Sequence, residues 1–77
     1  MNKERRKWLT DILNAIDNAR QELESLRDEE QESLDNIPEN LNCSDRATEL
    51  EENVDELDDA ISNLEDVICQ LQEIEEK

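Results

Sequence analysis

Carboxylates and thiols make up nearly all the reactive chemistry of this chain: 24 Asp and Glu and two Cys, with no His, Tyr or Gly. No imidazole or phenol is available to carry protons, and no Gly-rich loop can cradle a phosphate or present a nucleophile, so the sequence reads as non-enzymatic with no cofactor. Clustered acids could hold a metal. Here they lack the Gly-centred loop of a calcium site, and helical spacing points many of them apart, so no metal is expected. Cys43 and Cys69 are 26 residues apart, which on a continuous helix is roughly 35 to 40 Å. They cannot bridge within one chain and read as reduced thiols. What remains is binding through a charged surface.

The elements that must position this surface are helices. A chain of 77 residues with one Pro, one aromatic residue and 42% charged residues is rich in helix formers and nearly empty of strand formers. Mean hydropathy is −1.04 and net charge is −16, values that by themselves suggest disorder. Periodicity argues otherwise. Ala47, Leu50, Val54, Leu57, Ile61, Leu64, Ile68 and Leu71 keep an unbroken 3-4 spacing, a heptad seam of more than three repeats. Ala60, Val67 and Ile74 widen it on one side. Ser44 is placed to cap this helix, and Asp45 in its first turn suits the dipole.

In the first half, Leu9, Ile12, Ile16, Ala19, Leu23 and Leu26 continue the spacing, with Trp8, Leu13, Ala15 and Leu34 beside it. Glu30 falls where an apolar residue is expected. Pro38 disfavours helical geometry at Ile37. The reading is therefore a single domain over 1–77: helix one about 3–36, a hinge at 37–44 and helix two about 45–75. Near-equal lengths and a short connection favour an all-α antiparallel two-helix hairpin, coiled-coil-like, pairing with a second copy into a four-helix bundle. Length matching sets Leu26 near Val54, Leu23 near Leu57, Ile16 near Leu64 and Leu9 near Leu71. Ile37 and Leu41 are expected to plug the hinge end of the core, and Trp8 to lid the open end. No apolar stretch is long enough for a membrane span or a signal-peptide core, so a cytoplasmic protein without membrane contact is expected.

Charge runs +3 over residues 1–7, −7 over 8–36, −1 over 37–44 and −11 over 45–77. The basic tip, Lys3, Arg5, Arg6 and Lys7, opposes the helix dipole, and is expected beside Glu73, Glu75 and Glu76. Spread along such a hairpin, the body's acids stand about one per 2 Å of axis, against about 1.7 Å per charge for duplex DNA. A solvated face that keeps a heptad protein soluble needs no more than this. The functional reading is a DNA-mimic-like surface, with Asp28, Glu29, Glu30, Glu32, Glu51, Glu52, Asp55, Glu56, Asp58 and Asp59 as partner-binding candidates. No direct binding of nucleic acid is expected.

From Arg27 to Leu41 the run RDEEQESLDNIPENL resembles small uncharacterised acidic helical proteins of phages and prophages of Gram-positive anaerobes. That resemblance implies a mobile-element origin, and with it the host cytosol, but brings no activity with it. From Pro38 to Val54 a fainter similarity runs to phage proteins that sequester cyclic oligonucleotide signals. Such a sponge needs cationic or aromatic contacts, and near this hinge only Arg46 offers one. The leading expectation is a stoichiometric inhibitor of a host nucleic-acid-binding or defence protein. Its competitors are a structural or assembly adaptor that docks by its helices, and a nucleotide sponge.

Overall fold

A computed structural model describes residues 1–41 and 44–77 as two long helices folded against each other, α1 (Lys3–Asp35) and α2 (Asp45–Glu76), with a single 3-10 turn (Glu39–Leu41) between them. No strand occurs among the described residues. The chain is a rod with principal extents of 60 × 15 × 13 Å.

Each helix starts on a side-chain cap. The Asn2 carboxamide oxygen accepts from the Arg5 amide at 2.8 Å, and Ser44 Oγ accepts from the Ala47 amide at 3.2 Å; each satisfies one of the amides a helix start leaves unpaired. At its other end α1 stops two residues before Ile37, whose backbone Pro38 holds out of the helical region. Pro38 then opens the 3-10 turn, its carbonyl accepting from Leu41 N at 2.8 Å. Cys43 lies outside the described residues. Cys69 is a free, exposed thiol.

The α2 seam is as its spacing predicts: Ala47, Leu50, Val54 and Ile61 are buried, and Leu57, Leu64, Ile68 and Leu71 are half-buried. On α1 the seam turns to the other flank of the expected row. Leu9 and Leu13 are buried, and Ile16, Arg20, Leu23, Arg27, Glu30 and Leu34 are half-buried, whereas Ile12, Ala19 and Leu26 are exposed. Positions 9, 16, 23 and 30 are common to both phases. The choice falls between Leu13, Arg20, Arg27 and Leu34 on one side and Ile12, Ala19, Leu26 and Ser33 on the other. The first set wins, and two arginines enter the seam with it. Their aliphatic stems cover apolar surface while the guanidinium groups reach carboxylates at the rim.

The register also departs from length matching. Arg27 meets Asp58 at 2.7 Å, Thr10 meets Glu75 at 2.7 Å and Asn53 meets Glu30 at 3.1 Å, so the helices are offset by about one turn from the expected pairing. In this register the first turn of α2 runs past the end of α1 at the hinge. Ile37 is half-buried there, but Leu41 is exposed at 51% and does not plug the core. Trp8, 67% exposed, is not a lid.

Candidate functional site

The acids expected to bind a partner all fall on the hinge half of the rod, on every side of it. Glu51 and Asp58 share one flank of α2. Glu56 lies on the opposite flank, where with Leu26, Glu30, Asn53 and Leu57 it lines a shallow groove between the helices. Glu52, Asp55 and Asp59 project from the outer surface of α2, as Asp28 and Glu32 do from α1; Glu29 borders the flank of Leu26. All but Glu30 are exposed. The ten acids therefore form a sleeve and not one face.

Three of them have internal partners. Asp58 and Asp28 both accept from Arg27, at 2.7 and 3.1 Å, and Glu30 accepts from Asn53 Nδ2. The flanking carboxylates hold the Arg27 guanidinium further above its already high ordinary pKa, chiefly through the hydrogen bond to Asp58. Two turns towards the open end, Arg20 is clasped by Asp17 at 2.9 Å and Glu24 at 2.7 Å. Arg27 ties the two helices together, Arg20 pairs within α1, and both are spent in doing so. Of the three cations in residues 20–59 only Arg46 is left, against 13 acids outside these pairs.

The hydrogen bond from Arg20 is the main cause that holds the Asp17 carboxyl below the usual carboxylate range. A carboxyl depressed in the folded state contributes stability above its unfolded pKa and loses it as pH falls through the folded value. In a carboxyl-carbon NMR titration, Asp17 is expected to protonate below the ordinary aspartate range, and Arg20→Gln should return it to that range. Titration of Asp17 at the ordinary aspartate value in the parent protein would remove the clasp.

The basic tip is at the opposite end of the rod. Among the described residues no ion pair joins Lys3, Arg5, Arg6 or Lys7 to a carboxylate. The acidic end of α2 is held instead through the Thr10 hydroxyl, which donates to Glu75. With the register offset, Glu75 lies level with Thr10, one turn beyond the basic cluster.

Sequence reasoning missed the arginines of the seam. Their signal was local: Asp17 and Glu24 stand three before and four after Arg20, the helical spacings at which charges meet. Among the described residues no group of three or more His, Cys, Asp or Glu converges to hold a metal ion, and no helix is long and apolar enough to cross a membrane. The described residues form an acidic, all-helical hairpin. Comparison with protein families, curated proteins and solved structures finds no match to the chain.

Proposed function

We propose that this is a non-catalytic binding protein of phage type, a paired hairpin whose acidic half occupies the basic, nucleic-acid-binding surface of a host protein and inhibits it stoichiometrically. The observation that supports this reading is the polarity of charge along the rod. Residues 20–59 carry net −13 of the total −16, and the structure consumes Arg20 and Arg27 inside that half. With 16 acids on roughly 30 Å of hairpin, the hinge half presents about one carboxylate per 2 Å, near the linear charge density of duplex DNA.

The test uses the protein immobilised and exposed to bacterial lysate. A retained partner should be released by duplex DNA and by modest salt, because binding by many surface charges weakens steeply as they are screened. Changing Glu51, Glu52, Asp55, Glu56 and Asp59 to Gln or Asn should abolish retention; Asp58 stays, since Arg27 depends on it. A partner that holds through 0.5 M salt and survives the neutralised variant would point to a helix-docking adaptor.

A further inference from the structure

Among the described residues, seven large apolar side chains are exposed, and six of them lie on one flank of the rod: Met1, Trp8, Ile12, Leu26, Val67 and Ile74. Seven-residue spacing groups them. Ile12 and Leu26 share a row of α1 with Arg5 and Ala19, and Val67 and Ile74 share a row of α2 with Asn53 and Ala60. Leu26 and Asn53 line the same groove, which places both rows on one side of the hairpin. The opposite side carries the Arg27–Asp58 pair and the groove of Thr10, Asp17 and Gln72.

In the open half this flank is also where the acids are not. Over residues 1–19 and 60–77 its two rows and the positions next to them hold Arg5, Trp8, Ile12, Ala15 and Ala19 on α1, and Ala60, Asn63, Val67, Gln70, Ile74 and Lys77 nearby. Not one is a carboxylate, in a chain where almost one residue in three is acidic. The whole open half carries net −3, against −13 for the hinge half. A purely solubilising pattern would have no reason to spare one flank of one half.

We propose that this flank is the interface of the paired hairpin, and that a second copy lies on it antiparallel, overlapping along the open halves and no further than the first turns of each hinge half. The inference rests on the pairing named above and supplies its face and orientation. The flank is self-complementary under an in-plane two-fold axis crossing α1 between Ile12 and Ala15. Reversal sets the bulky Trp8 of one copy over the small Ala15 and Ala19 of the other, so that large fills small at both ends. It also brings Arg5 over Glu22 of the second copy, the two charged α1 positions at opposite ends of the flank. A parallel pairing does the reverse, since it puts Arg5 beside Lys77 and stacks one acidic hinge half on the other. In the antiparallel assembly the hinge halves project from opposite ends, free for a partner. A patch about 30 Å long and 20 Å wide buries on the order of 1,200 Å² in total, the lower edge of specific interfaces, so association should be micromolar.

Sedimentation equilibrium with Trp8 emission tests this. The parent should pass from 9.0 kDa to twice that mass, with a blue shift at the same midpoint. Ile12→Glu and Val67→Glu should each weaken association at least about 100-fold with helical content unchanged, both sites being exposed in the hairpin, while Gln21→Glu on the other flank should change it little. Arg5→Glu should weaken it about tenfold, the contact occurring twice per dimer, and Glu22→Arg added to Arg5→Glu should restore it. A dimer indifferent to Ile12→Glu and Val67→Glu overturns the face but leaves the pairing. A dimer tightened by Arg5→Glu overturns the orientation alone. A 9.0 kDa species up to about 100 µM, an affinity no better than about 5.5 kcal/mol, overturns pairing and face together.

Discussion

Truncation of Leu13 to Ala is expected to destabilise the hairpin by about 2 to 5 kcal/mol, and truncation of its neighbour Ile12 by much less, measured on the monomer at low concentration. The two residues are adjacent, apolar and of equal size, so the contrast isolates the phase of α1. Leu13 is 8% exposed and Ile12 is 39% exposed; only the former leaves a cavity when shortened. Leu50 and Ile61, at 4% and 5% exposure, should behave as Leu13 does. For a chain of this size each kcal/mol moves the melting temperature by about 4 to 8 °C, so Leu13→Ala should melt at least about 10 °C below Ile12→Ala. Equal melting temperatures would return the seam to Ile12, Ala19 and Leu26 and bury the flank assigned to the second copy.

That contrast marks where the fold was legible in the sequence and where it was not. On α2 the seam row is unbroken, with Glu51, Asp58 and Glu65 on one side and only the shorter apolar row of Ala60, Val67 and Ile74 on the other, so hydrophobic burial favours one answer. Helix ends were legible for a similar reason: Ser44 and Pro38 act on the backbone through local chemistry that tertiary contacts seldom override. On α1 two apolar rows share Leu9, Ile16 and Leu23, and counting hydrophobic residues favours the row without arginine. The count fails because an Arg stem is itself apolar surface, and because Asp17, Glu24, Asp28 and Asp58 can each meet a guanidinium at the rim. The flank with Trp8, Ile12 and two alanines remains outside. Register was less legible still, since it depends on how the hinge packs, and equal helix lengths carry no information about that. As for the candidate site, the position of the acids could be read from the chain. That they surround the hinge half, and that Arg20 and Arg27 do not relieve them, required the register.

Thermal stability should rise steeply with salt, by about 10 to 20 °C between 0.01 M and 0.5 M sodium chloride. The hinge half gathers 16 carboxylates and three cations on a rod only 15 × 13 Å across its helix axes, while the unfolded chain can spread the same charges apart. At 0.01 M the screening length is about 30 Å, so each acid interacts with most others in its half; at 0.15 M it is about 8 Å, and only near neighbours remain. Two unit charges 10 Å apart in water interact by about 0.4 kcal/mol unscreened. Summed over such pairs and reduced by the repulsion persisting in the unfolded chain, the difference is about 2 to 3 kcal/mol, which the size scaling converts to the stated shift. Salt also weakens the Arg27–Asp58 and Arg20–Glu24 pairs, but solvent already screens such exposed pairs and they contribute little, so repulsion dominates the sign. The variant with Glu51, Glu52, Asp55, Glu56 and Asp59 neutralised should melt higher than the parent at low salt and show a flatter salt dependence, the two curves converging near 0.5 M. A parent whose melting temperature is flat or falls with salt would mean that the hinge-half acids do not oppose folding, and that their crowding carries no electrostatic cost for partner binding to relieve.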